Sequence, residues 1–131
     1  MAGATSVPPV LSLRRSGQSG TKAMTVAWSV VYSDLSSSNI AYLFGGARIN
    51  LSTMQAGDHI DIRVRKIVLS GGAWVNHDEF PYDNVQPADH PSVSIGAIPD
   101  VYGIEIAMRQ VAGGLRTIET EFYAAKVLGT T

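Results

Sequence analysis

Residues 58–69 read DHIDIRVRKIVL, and they decide the fold class because apolar and charged residues alternate along them. The apolar residues fall on one face of an extended strand, and they are Ile60, Ile62 and Val64. The charged residues on the other face are Asp61, Arg63 and Arg65. A period of two is the pattern of a half-buried strand. After Arg65 the alternation slips, and a β-bulge near Arg65 and Lys66 would restore it.

A second alternating run and two glycine pairs extend this pattern along the chain. Residues 23–32 read AMTVAWSVVY, which predicts one strand with Trp28 on its core side. Gly71-Gly72 and Gly113-Gly114 predict hairpin turns, because glycine adopts the backbone angles of tight turns at little cost. Short strands about ten residues apart are typical of antiparallel folds with two layers. We therefore predict an all-β protein, an antiparallel β-sandwich that is jelly-roll-like.

The first 21 residues differ in composition from the rest. They are rich in glycine, serine, threonine and proline and contain no acidic residue. Such a segment has too little apolar area to order itself. We predict an extended, flexible N-terminal arm at 1–21 and a sandwich domain at 22–131. Val7, Val10 and Leu11 make the arm apolar enough to dock on a partner.

Composition excludes several classes of protein. The chain has 131 residues and no cysteine, which rules out a disulfide scaffold, a thiolate metal site and a cysteine nucleophile. No apolar run approaches the roughly 18 residues of a membrane helix, so we expect no membrane partner. The formal net charge is −1 at pH 7. This charge provides no overall attraction to nucleic acid, which we do not predict as a partner.

The charges are distributed unevenly. Residues 67–108 contain six acids and neither lysine nor arginine, so the rest of the chain carries a positive excess. We predict that this acidic region meets basic residues of a neighbouring subunit. The basic residues proposed for that contact are Arg48, Arg63, Arg65 and Lys66.

The candidate metal ligands are three histidines and the acids of a proline-containing loop. The histidines are His59, His77 and His90, and the acidic loop runs from 78 to 90. The long loop leaves their geometry unconstrained, and the acids do not have the spacing of an EF-hand. We predict no metal and no other cofactor. Binding of a divalent ion by the loop stays an open alternative.

Three glutamates raise the question of catalysis. If Gly113 centres a hairpin, Glu105 lies opposite Glu121, and Glu119 shares a face with Glu121. Paired carboxylates of this kind hydrolyse glycosidic bonds. The chain has neither a nucleophile elbow nor a glycine-rich phosphate loop. We interpret the glutamates as members of a solvated face and predict no enzyme.

Three aromatic residues lie beside the acidic loop. They are Trp74, Phe80 and Tyr82. Aromatic rings next to carboxylates can stack a sugar ring and accept bonds from its hydroxyls, and they also form protein hot spots. A carbohydrate-binding or lectin-like module that uses these residues is therefore the alternative function.

Two stretches carry a resemblance to a known class of proteins. Leu51–Val64 reads L-x-x-x-x-A-G-D-x-I-x-I-R-V, and Tyr102–Phe122 reads Y-G-I-E-I-A-M-R-Q-V-A-G-G-L-R-T-I-E-T-E-F. Over about the last 80 residues the chain resembles small β-sandwich proteins of bacterial and archaeal viruses that coat, cement or project from a capsid. The resemblance implies a virion structural protein, located in the virion. Its partner would be itself, as a homo-oligomer, or a major capsid protein.

Overall fold

The structure is a computed structural model that describes residues 9–35, 42–100 and 102–130. Side chains are described within 14–35, 44–99 and 102–124. In these residues the chain forms strands and no helix. The strands are β1 (Pro9–Arg15), β2 (Gly20–Ala23), β3 (Ser29–Leu35), β4 (Tyr42–Asn50), β5 (His59–Ile67), β6 (Trp74–Asp83), β7 (Ser92–Ile95), β8 (Ile98–Asp100), β9 (Gly103–Ala112) and β10 (Thr117–Thr130).

The strands form two antiparallel sheets. The first sheet has the order β1-β10-β4-β7, with β2 pairing with β10 and β8 pairing with β4. The second sheet has the order β3-β9-β5-β6. Because β4 pairs with one side of β10, β1 and β2 occupy successive parts of its other side. Likewise β7 and β8 share one side of β4.

This arrangement is a jelly roll. If β1 with β2 and β7 with β8 each count as one interrupted strand, each sheet has four strands. Apart from the β5–β6 hairpin, neighbours within a sheet are distant along the chain, and the chain alternates between the sheets, as two Greek keys require. The prediction of an all-β, jelly-roll-like sandwich is confirmed.

The core lies between the sheets and is built from the alternating faces. Ile60, Ile62 and Val64 of β5 are fully buried, as their period of two predicts. An aromatic trio joins the layers: the Tyr32 ring of β3 lies 5.1 Å from that of Phe44 and 5.0 Å from that of Phe122. The sandwich therefore closes around rings from both sheets.

Of two local predictions on β5 and β6, one is confirmed and one is wrong. The connection at Gly71 joins them as an antiparallel hairpin, and Gly71 has a φ of 71°. The bulge predicted near Arg65 and Lys66 of β5 is wrong, because the extra residue of this pair is His77 of β6. From Ile60 to Lys66, β5 keeps an unbroken register with β9.

The predicted strand at 23–32 is wrong as a single strand. The chain leaves the first sheet after Ala23 and enters the second sheet at Ser29. Between them Met24 N donates to Arg116 O, and Gln110 N donates to Thr25 O. Trp28 lies in this crossover and is half-buried outside the hydrophobic core. The period of two continues through a segment that changes sheets and bends at Val26 and Ala27, so the alternation does not mark one continuous strand here.

The predicted hairpin at Gly113-Gly114 is wrong as well. β9 belongs to the second sheet and β10 to the first, so this turn is a crossover. A cluster of polar side chains holds this crossover in place. Asp58, which is 1% exposed, accepts a hydrogen bond of 2.7 Å from Arg116 Nε. The Gln110 side chain donates to the backbone oxygens of Ala112 and Gly114 and accepts from the backbone nitrogen of Arg116. The Arg116 bond, with one from the Gln55 backbone, lowers the pKa of Asp58.

The N-terminal segment differs from the predicted flexible arm. Within 1–21, Pro9–Arg15 forms β1 and pairs antiparallel with β10. The predicted boundary at 21/22 falls inside β2. The edge of β10 supplies the backbone partners that the segment lacks by itself, which explains why its composition alone predicts no order.

No helix among the described residues is long and apolar enough to span a membrane.

Candidate functional site

The side of the second sheet that faces away from the first sheet, called the outer face below, carries a continuous polar network. β5 and β9 run side by side, so alternate residues of both strands point to this side. Asp61, Arg63 and Arg65 come from β5, and Glu105 and Arg109 come from β9. The charged half of the 58–69 pattern therefore lies where the sequence predicts.

At one end of the outer face a histidine bridges two carboxylates. His59 Nδ1 lies 2.5 Å from Asp83 Oδ1, and His59 Nε2 lies 2.7 Å from Asp61 Oδ1. Asp61 also accepts a bond of 2.9 Å from Arg109 Nε, so four side chains form one chain of contacts. The bond to Asp83 and then that to Asp61 raise the pKa of His59.

In the middle of the outer face two guanidinium groups stack on one indole. Arg63 Cζ lies 4.2 Å and Arg109 Cζ 4.4 Å from the centre of the Trp28 ring. Burial lowers the pKa of Arg63, and its Nε atom has no hydrogen-bond partner among the described residues. The contact with the ring stabilises these cations where water is partly excluded.

At the other end Glu105 joins two arginines. Arg65 donates to Glu105 Oε1 from Nη2 at 2.6 Å and from Nε at 3.0 Å, and Arg63 Nη2 lies 3.9 Å away. Arg65 also lies over Trp74, 5.9 Å from the ring centre. The charges of the outer face therefore satisfy one another within the chain.

The predicted interface residues are only partly described. Arg63 and Arg65 belong to the outer face and are paired with Glu105, a member of the acidic region of the same chain. Lys66 Nζ donates to Pro99 O at 3.1 Å. Val7 lies outside the described residues, as do the side chains of Val10 and Leu11, whose backbone belongs to β1.

The predicted ligand-binding aromatics do not share a surface. Phe80 and Tyr82 pair with Ile62 and Ile60 and pack against the core. Trp74 lies beyond the bulge and contacts Arg65 on the outer face. A flat platform of three rings is therefore absent from this part of the described chain.

The other candidate sites are also separated. Glu105 belongs to the second sheet, whereas Glu119 and Glu121 belong to β10 of the first, so the predicted opposition of Glu105 and Glu121 is wrong. No group of three or more histidines and acids among the described residues is placed to hold a metal ion. His77 and His90 do not join the His59 cluster.

A groove opens where the two sheets part, between β6 on one side and β7 and β8 on the other. Its volume is about 210 Å³. Its walls are formed by Val64, Phe80, Ile95 and Ile98, together with His77, Asp78, Ser94, Gly96 and Ala97. We call it the edge groove. Its walls combine apolar and polar groups, and Asp78, an exposed carboxylate, is one of them.

Protonation of His59 predicts a pH-dependent stability. Because the folded pKa is raised above the ordinary 6.5, the stabilisation is complete below pH 6.5 and is lost as pH rises through the folded pKa. We expect His59→Asn to lower the melting temperature more at about pH 6 than at about pH 9. His90→Asn, at an exposed loop histidine, is the matched control and should show little loss. Equal losses for His59→Asn at both pH values would contradict this assignment.

The comparisons with known proteins identify the fold. No family model matches the chain, and no curated protein matches it. VP2 of infectious bursal disease virus, in the crystal structure of its subviral particle, aligns with 95% of this chain at 12% identity and a TM-score of 0.55. The structure of a viral particle of the same virus aligns with 96% at 10% identity and a TM-score of 0.42. The chain spans about a third of each of these proteins, 34% and 33%.

Proposed function

We propose that this chain is a structural subunit of a virus particle and acts in the virion through contacts with copies of itself or with a major capsid protein. The observation that carries the proposal is the fold. Nearly the whole chain aligns with a third of VP2 as it occurs in a subviral particle. The chain thus has about a third of the length of that larger protein, and jelly rolls are common building blocks of capsids. A bacterial or archaeal host stays a prediction.

The outer face supports a role in contacts. Its cations and carboxylates are already bonded to one another, which holds its arginine side chains in place. Tryptophan and arginine side chains held in place by such bonds are enriched where proteins make their strongest contacts. This chemistry suits a surface that a neighbouring subunit covers.

The carbohydrate-binding alternative has less support. It requires Trp74, Phe80 and Tyr82 to present their rings together, whereas they lie on two faces of β6. Adding each glycan of a panel to the protein and measuring its tryptophan fluorescence tests this alternative directly. A saturable change that Trp74→Ala removes would favour this alternative over the proposed function.

The N-terminal residues are proposed to strengthen the contacts between subunits. Deletion of residues 1–21 would remove β1 and half of β2, both of which pair with β10. A loss of association in that variant could then result from a loss of folding. Deletion of residues 1–8 leaves every described strand in place and removes Val7. We expect the shortened chain to keep its melting temperature and to associate several-fold more weakly, measured by sedimentation velocity. Unchanged association would remove residues 1–8 from the mechanism.

Electron microscopy of the purified chain tests the proposed function. We expect the purified chain, with no other protein present, to form regular assemblies such as closed shells or arrays. Single domains at every concentration would contradict self-assembly. In that case, retention of the chain on purified empty capsids would support a decoration or cement role, and failure to bind them would end the proposal.

A further inference from the structure

The charges of the described chain separate into those that are bonded internally and those that are not. The bonded cations are Arg65, Arg109 and Arg116, with Arg63 close to Glu105. No ion pair within the described side chains involves Arg14, Arg15, Lys22 or Arg48. Arg14 and Arg15 end β1, Lys22 lies on β2, and these two strands form one edge of the first sheet. This edge is called the basic edge below.

The opposite edge of the sandwich is acidic. β7 and β8 lie at the far edge of the first sheet from β1, and β6 is an edge of the second sheet. No lysine or arginine occurs in residues 67–108, which include all three of these strands. Asp78 and Glu79 are exposed on β6 and are not members of an ion pair among the described residues. Lys66 is tied to Pro99 O at the β8 end.

The edge groove lies in this acidic edge and has the chemistry of an arginine site. Val64, Phe80 and Ile98 supply apolar walls, and Asp78 supplies a carboxylate at the rim. An arginine can lay its aliphatic stem along apolar walls while its guanidinium reaches a carboxylate. Burial, and after it the charge of Asp78, raises the pKa of Tyr82.

We propose that the edge groove receives Arg14 from the basic edge of a second copy of this chain. The two surfaces carry opposite charge, and they lie at opposite edges of the same sandwich. A single copy cannot join them, so the complementary surfaces meet between copies. This inference deepens the proposed function and rests on it, since it names the contact through which copies assemble.

The placement has a consequence for symmetry. A contact between two different surfaces is heterologous, and repetition gives a closed ring or an open row rather than a two-fold dimer. β6 also resists pairing with another β6, because Asp78 and Glu79 would face like charges and Pro81 interrupts its donors. The geometry therefore favours head-to-tail assembly.

Charge reversal on each surface tests the contact. Asp78→Lys alters the groove, and Arg14→Glu alters the basic edge. Asp89→Lys is the matched control, because Asp89 is exposed in the loop between β6 and β7 and belongs neither to the groove walls nor to the basic edge. By sedimentation velocity at low salt, we expect each of the first two to weaken association roughly tenfold or more, and the control to have little effect. Melting temperatures measured by circular dichroism identify any variant that fails to fold.

Mixing gives the sharper result. The Asp78→Lys chain keeps its basic edge and the Arg14→Glu chain keeps its acidic groove, so the two variants should associate with each other although neither associates alone. A chain with both substitutions should also recover association. Recovery in neither case would overturn the contact.

The outcomes separate this inference from the proposed function. If the natural chain assembles and both reversed variants assemble equally well, the contact is wrong and the proposed function stands. If the natural chain stays a monomer, self-assembly fails and the contact fails with it. If Arg14→Glu abolishes binding of a fluorescent single-stranded DNA and leaves association unchanged, the basic edge is a nucleic-acid surface, which also overturns the inference.

Discussion

Replacement of Phe122 by alanine is expected to lower the free energy of unfolding by about 3 to 5 kcal/mol. The Phe122 ring is fully buried and lies 5.0 Å from the Tyr32 ring of the opposite sheet, so its loss leaves a cavity between the two layers. Domains of this size are commonly stable by about 5–15 kcal/mol, so the substitution would remove a large part of the total. Denaturation in urea, followed by far-ultraviolet circular dichroism, measures the change.

Tyr123→Ala is the matched control for that substitution. Tyr123 is the next residue of β10 and points to the opposite side, where its hydroxyl donates to Glu121 Oε2 at 2.6 Å. We expect a loss of about 1 kcal/mol, because the ring is only half-buried. Similar losses at both positions would contradict the placement of Phe122 in the core.

Gly113→Ala is expected to cost about 2 kcal/mol or more, although it adds a single methyl group. Gly113 has a φ of 84°, which an alanine adopts with strain. An added Cβ would also clash with Asp58 Oδ1 and lie 2.9 Å from Asp58 Cα. The buried contact between Asp58 and Arg116 would have to move, and the crossover between the sheets depends on it.

Gly114→Ala separates this effect from a general intolerance of the turn. The nearest atoms to a Cβ at Gly114 belong to the Arg116 guanidinium, 3.8 Å away, and the backbone there does not have a positive φ. We expect a change within about 0.5 kcal/mol, measured by thermal denaturation. Equal tolerance at both glycines would show that the crossover has a different geometry.

The parts of the fold that the sequence predicts are those in which neighbours along the chain determine the structure. The alternation at 58–69 predicts the buried and charged faces of β5, because successive side chains of a strand point to opposite sides. Gly71 predicts the hairpin to β6, whereas the slip after Arg65 predicts a bulge in β5 that the structure has at His77 of β6. Each signal spans only a few residues.

The crossovers are where the same signals mislead. Residues 23–32 and the turn at Gly113 connect different sheets, yet their patterns match a strand and a hairpin. Alternation shows which residues share a face but does not show which strand is the neighbour. Asp58, Gln110 and Arg116 decide the second crossover through contacts between residues far apart in the chain.

The candidate surfaces show the same division. The sequence predicts that Arg63 and Arg65 are opposite the core side, and it predicts an acidic region at 67–108. It does not show that Glu105 already neutralises Arg65 or that Trp28 lies between Arg63 and Arg109. Those pairings depend on β9 lying beside β5, which the alternation does not show. Likewise, only the structure shows that the cations of the basic edge form no ion pair with another described side chain.

The native mass of the purified chain, measured by light scattering at low and high salt, tests the central claim most directly. The account predicts a discrete species many times heavier than 13.9 kDa at low salt. Its mass should fall at high salt, because salt screens contacts between charged edges. A mass of 13.9 kDa under both conditions would contradict a subunit that assembles with itself.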